Sequence, residues 1–149
     1  MIVRSRRGIP IAARTKIEIS PALCRRVAGL DDLARIVFPD NRNHRRAFVA
    51  MWLEIKYAER QFLSSQADIS TKHKISRRTL EIVRAKLKRM GIVKRVSHFN
   101  PQYGYRSGWV FSSRFGSSLT TLAKAIKPAQ RLPGSKIEEM KDWDSMHYV

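Results

Sequence analysis

Between Lys72 and Arg95 the chain carries ten lysine and arginine side chains and one carboxylate, Glu81. Ammonium and guanidinium groups at this density bind anions. Repeated along one segment, they match the regularly spaced phosphates of a polyanion. Surfaces that are merely solvated usually mix both signs. Other chemistry finds little support. His44, His73, His98 and His147 are scattered, and no Cys, His or Asp cluster has metal-ligand spacing. No glycine-rich phosphate loop, serine elbow or pair of histidines flanking a hydrophobic residue occurs. Tyr103 and Tyr105 have nucleophilic oxygens, but no neighbour in sequence is arranged to activate them. The expectation is therefore a binding protein rather than an enzyme, with no catalytic residue, no metal and no cofactor.

The whole composition points the same way. The 149 residues are 43% hydrophobic, enough for one domain with a real core, and carry a formal net charge of +18. Two regions hold most of it: residues 1–46 have eleven basic and four acidic side chains, and residues 66–96 have ten and two. A protein this basic repels itself until a polyanion neutralises it. Nucleic acid and an anionic membrane surface are the two sources. No apolar run is long enough to span a bilayer. Arg4, Arg6 and Arg7 are not followed by an apolar stretch, so no secretory signal is expected. The single cysteine, Cys24, excludes an internal disulfide and is expected to be a small, partly buried residue. A cytoplasmic, nucleoid-associated protein with no membrane partner is the expectation.

These side chains must be held by a few elements. Residues 1–20 read as a basic arm with a short strand near Ile17–Ile19. Ser20-Pro21 starts a short helix reaching to about Ala28. Gly29 breaks it, and Asp31 caps another helix that ends before Pro39. Asn43 caps a long helix from about His44 to Leu63, with Phe48, Met51, Trp52, Ile55, Ala58 and Phe62 on one apolar stripe. Ser65 caps a short helix over 66–74. After Ile75, Ser76 caps a second helix, Arg77 to Met90, whose Leu80, Val83, Leu87 and Met90 face inward. Gly91 ends that helix in a left-handed conformation. Strands over 92–96 and 108–111 flank a turn-rich loop and make a hairpin. Ser117-Ser118 caps a last helix that Pro128 stops. A polar tail with Glu138, Glu139, Asp142 and Asp144 follows.

The order of helix, short helix, turn, helix and hairpin resembles a winged helix-turn-helix. The residues that carry the resemblance are Gln66-Ala67-Asp68-Ile69-Ser70, Ile75-Ser76-Arg77-Arg78-Thr79-Leu80 and Leu87-Lys88-Arg89-Met90-Gly91-Ile92-Val93. It covers residues 44–113. The fold class it implies is mostly α with a small β-hairpin wing (α+β), with extra N-terminal helices and a C-terminal helix. The organisation is 1–43, a basic arm and short helices; 44–116, the winged helix-turn-helix; 117–132, the C-terminal helix; and 133–149, a flexible acidic tail.

The resemblance implies that the 77–90 helix enters the major groove of duplex DNA. Arg77, Arg78 and Glu81 then become base-reading candidates, with Ala85 small enough for close approach. Lys72, Lys74, Ser76, Lys88, Arg89, Lys94 and Arg95 become phosphate contacts, Ser76 through the helix N-terminus. Asn100, Gln102, Tyr103, Tyr105 and Arg106 form the wing. Tyr103 and Tyr105 stand equally open to ordinary strand packing. Arg4, Arg6, Arg7, Arg14 and Lys16 form an arm suited to a neighbouring groove. A homodimeric, sequence-specific transcriptional regulator is the leading expectation, with the N-terminal helices and the 118–127 helix as interface candidates. The alternatives are a plasmid or phage replication or partition protein, and a structural RNA-binding or ribosome-associated protein.

Overall fold

In a computed structural model, residues 15–149 are described. Their fold is mostly helical with one two-stranded antiparallel hairpin. The chain falls into two compact units that divide after Phe115.

In the first unit, Ser20 accepts a hydrogen bond from Leu23 N–H and starts α1 (Pro21–Arg25). Helix α1 is shorter than expected, and Cys24 on it is exposed rather than partly buried. Residues 17–19 form no strand, although Glu18 N–H bonds the Ile36 carbonyl. Helix α2 (Leu30–Val37) is N-capped by Gly29 instead of Asp31. Asp31 and Asp32 occupy its first turn, where carboxylates favour the helix dipole.

Helix α3 (Arg42–Lys56) is capped by Asn41, whose Oδ1 accepts from His44 N–H; the expected cap, Asn43, lies inside the helix. Phe48, Met51 and Ile55 are fully buried, as the stripe required. The helix ends at Lys56, not Leu63. Arg60 and Gln61 adopt positive φ and turn the chain. Phe62 consequently leaves the stripe and joins a separate small cluster with Val96 and Val110. Leu63 exchanges both backbone hydrogen bonds with Trp109, at 2.9 and 2.8 Å.

Two helices and a hairpin follow. Helix α4 (Ala67–His73) ends at Lys74, which is left-handed at φ 54°. Ile75 is buried, and Ser76 caps α5 (Arg77–Met90) by accepting from Thr79 N–H. Gly91, at φ 86°, closes α5 with N–H bonds to the Leu87 and Lys88 carbonyls. Strand β1 (Val93–Val96) pairs with β2 (Gly108–Phe111), Val93 opposite Phe111 and Val96 opposite Gly108.

The core lies where α3 meets α2, α4, α5 and the hairpin. Ile69, Leu80, Val83, Leu87, Val93 and Trp109 pack against the α3 stripe. A chain of ring contacts runs Phe38–Phe48–Trp52–Phe111 at 5.7, 5.5 and 4.8 Å between centroids. Each fully buried side chain of this size contributes about 1.5–3 kcal/mol.

Helix α6 (Arg114–Gln130) begins just before the second unit and is its longest element. Pro128 does not stop it: the proline lies inside the helix, which ends two residues later at Gln130. The stretch read as a flexible tail contains helix α7 (Lys136–Asp144). Ser135 accepts from Glu138 N–H at 3.2 Å and Glu138 accepts from Gly134 N–H at 2.8 Å, a reciprocal cap. Among the residues after Gly116 none is buried; Leu122, Ile126, Ile137, Met140 and Trp143 are exposed.

Candidate nucleic-acid interface

Helix α5 presents two unlike faces. Leu80, Val83 and Leu87 are buried. Arg77, Arg78, Glu81, Ile82, Ala85 and Lys88 are exposed on the other side, as 100° per residue requires. Arg77 and Arg78 stand in the first turn, next to the three-residue turn from α4. Among the described residues, neither they nor Lys74, Lys88, Arg89, Lys94 or Arg95 pair with a carboxylate. Their charge is available to a ligand.

The exposed face of α5 is one wall of a groove of about 590 Å³. Arg78, Glu81, Ala85 and Arg89 line that wall, and Lys16, Phe38, Asp40 and His44 stand opposite. Three of the base-reading candidates are thus brought together with Lys16 of the arm. Lys16 lies 3.3 Å from Asp40. Arg4, Arg6, Arg7 and Arg14 lie outside the described residues.

A buried lysine supports this groove, and no sequence signal marked it. Lys86 is 9% exposed. Its ammonium donates to the carbonyl oxygens of Lys16, at 2.6 Å, and of Val37. It also sits 4.4 Å from the Phe38 ring centroid. Burial pushes its pKa below the ordinary lysine value, partly offset by Asp40. Burial and the nearby Lys86 charge likewise lower the pKa of His44. Lys86 acts as a fastener between α5 and the chain before α3, and its charge adds to the groove's positive potential.

The other candidates divide by their surroundings. Lys72 reaches Glu54 on α3 at 2.8 Å, and His73 reaches the same oxygen at 2.9 Å. Hydrogen bonds from Lys72 and then His73 hold the Glu54 pKa below its usual value. Lys72 therefore has a carboxylate partner, while Lys74 has none among the described residues. Ser76 Oγ is occupied within its cap, bonding Thr79. Arg95 lies over the Trp109 indole at 5.7 Å, and Arg84, which sequence reading did not single out, at 5.3 Å. Arg84 also bonds Gln66 Oε1 at 3.1 Å, tying α5 to the start of α4.

The hairpin loop carries the remaining candidates. Asn100 Oδ1 accepts from Gln102 N–H at 2.9 Å. Tyr103 stacks on Phe62 at 5.3 Å and is half-buried, so packing explains it. Arg106 lies 4.6 Å over the same Phe62 ring. Tyr105 and Gln102 are exposed.

Comparison with protein-family models, curated proteins and solved structures finds no match. Among the described residues, no group of three or more His, Cys, Asp or Glu is placed to hold a metal ion. No described helix is long and apolar enough to cross a membrane.

Proposed function

We propose that this chain is a winged helix-turn-helix protein that binds duplex DNA and reads sequence through α5, acting as a transcriptional regulator. One observation carries the reading: α5 displays Arg77 and Arg78, unpaired and exposed, at its N-terminus behind a three-residue turn, on a face without competing carboxylates except Glu81. A helix so presented fits the major groove, where arginine bonds guanine in a bidentate manner. Glu81 is placed to accept from cytosine or to orient an arginine. Lys74, Lys88, Arg89, Lys94 and Arg95 serve the phosphates, which position the protein without specifying sequence.

Duplex DNA is the partner, and the protein works as a homodimer because two half-sites multiply specificity. Leu119, Leu122 and Ile126 recur at three- and four-residue steps on α6 and offer the apolar stripe for pairing.

The test is selection from a random duplex pool by the full chain over a salt series. Enrichment of a motif supports sequence reading, and inverted half-sites support the dimer. Tight, steeply salt-dependent binding without a motif overturns the regulator reading in favour of a non-specific or RNA-directed binder.

A further inference from the structure

The loop between β1 and β2 is closed by its own hydrogen bonds. Asn100 N–H bonds the Ser97 carbonyl, and Phe99 N–H bonds Ser97 Oγ. Tyr105 N–H closes the loop onto the Asn100 carbonyl at 3.1 Å, and Gly104 N–H bonds the Pro101 carbonyl. Beneath it, Phe62, Val96 and Val110 form a small buried cluster against which Tyr103 packs. The loop therefore has its own foundation, to which Tyr103 is packed.

Two of the three aromatics point away from that foundation. Phe99 is 77% exposed and Tyr105 65% exposed. The His98 and Phe99 rings lie 4.0 Å apart, so the imidazole extends the aromatic surface. Tyr105 has φ 59°, immediately after Gly104 at φ 68°. A left-handed conformation disfavours any residue with a Cβ, and glycine or asparagine is the usual occupant. A tyrosine there carries a conformational cost that its own burial does not offset. Such residues concentrate where a ligand uses them.

Charge selects the ligand. No aspartate or glutamate occurs anywhere from residue 82 to residue 137. Lys94, Arg95 and Arg106 flank the loop. A planar, apolar surface on a segment whose own charges are all cationic matches one partner chemistry: a nucleobase attached to a phosphate backbone. Every base offers a π face, so such stacking tolerates sequence. Aromatic and other apolar side chains inserted at a duplex step unstack it and kink the helix axis.

We infer that Phe99 and Tyr105 stack on nucleobases, with the hairpin loop as a wedge at a base step beside the groove that α5 reads. This rests on the nucleic-acid reading above and adds a second mode of contact to it. The phosphate contacts hold the duplex, and the two rings act on its stacking.

The experiment places 2-aminopurine at successive positions of the bound duplex and follows its fluorescence as the full chain is titrated in. One or two adjacent positions should respond to the wild-type protein. Phe99→Ala and Tyr105→Ala should each weaken binding about tenfold and abolish the response at saturation. Phe99→Trp should keep it. Lys94→Ala should weaken binding yet leave the response intact once the site is filled. Tyr105→Gly serves as the folding control: it should raise or preserve the melting temperature while losing the response. If Phe99→Ala and Tyr105→Ala bind and respond as wild type, the stacking inference is wrong and the nucleic-acid reading stands. If the wild-type chain binds no duplex at low salt, both fall together.

Discussion

The ammonium group of Lys86 donates a hydrogen bond to the backbone carbonyl of Lys16 at 2.6 Å. A second goes to the Val37 carbonyl. One side chain on the face between the core and the groove thereby fixes two segments distant in sequence.

Replacing Lys86 tests how much the fold depends on it. Lys86→Ala orphans two carbonyls and removes the stem, and should cost about 2–4 kcal/mol. Lys86→Met keeps the stem and should cost less. The pH dependence has a definite sign. The folded pKa lies below the unfolded value of 10.5, so over that interval the unfolded chain binds more protons. Stability then rises with pH approaching 10.5. Urea denaturation at neutral and at alkaline pH should show this rise in the wild type and its loss in Lys86→Met.

Glu54→Gln takes the charge out of the link between α3 and α4. The amide oxygen can still accept a hydrogen bond but forms no ion pair with Lys72 and His73, and the loss should be about 1 kcal/mol at neutral pH. The folded pKa of Glu54 is lowered, so its contribution is full above about 4.5. It disappears as pH falls through the lower folded value. Melting curves of wild type and variant should converge in acid. A constant difference would mean that the carboxylate's charge is not what stabilises the pair.

Arg78→Ala and Lys94→Ala should separate reading from holding. Arg78→Ala should cost about 1–3 kcal/mol on the selected sequence and relax preference at one position. Lys94→Ala should weaken all sequences alike and reduce the salt slope by about one unit. Equal effects on selected and random duplexes for Arg78→Ala would remove α5 from base contact.

Gly108→Ala places a Cβ 2.5 Å from Phe62 Cζ and 2.7 Å from the Leu63 carbonyl oxygen. Neither the ring nor the bonded backbone can retreat freely. The loss should be about 1–3 kcal/mol, read as a lowered denaturation midpoint.

Leu122→Asp puts a charge in the exposed stripe of α6, where it removes no core contact. Sedimentation of the wild type should give a dimer at micromolar concentration, and the variant a monomer with unchanged thermal unfolding of its first unit. A wild-type monomer would overturn the dimer.

Much of the α4–α5–hairpin architecture was legible because local signals and hydrophobic period agreed. Ser76, the Leu80–Val83–Leu87 spacing and Gly91 each mark α5, and the hairpin strands follow from Gly91 and the turn residues. Other features depend on contacts that no window contains. Lys86 is a cation one position from a buried leucine, and the carbonyls of residues 16 and 37, the Phe38 ring and Asp40 together make its burial tolerable. Phe62 continues the α3 period, but the positive φ values at Arg60 and Gln61 send it elsewhere. Asn41 and Asn43 are equally good caps by type, and packing of Phe38 near His44 accompanies the earlier start. Helix α7 carries a local signal of its own: Ser135 and Glu138 stand at the spacing of a reciprocal cap. Among the candidate contacts, exposure of Arg77 and Arg78 followed from the helix period. Pairing of Lys72 with Glu54 did not, because the partner is on another helix.

The exchange of hydrogen bonds between Leu63 and Trp109 bears on how the molecule assembles itself. That contact closes a chain loop containing α4, α5 and β1, so its entropic cost falls due before β2 is secured. Neither the helix pair nor the hairpin is then complete without the other. Opening one should expose amides in both at the same rate, and α5 and the hairpin should exchange hydrogen for deuterium as one cooperative block.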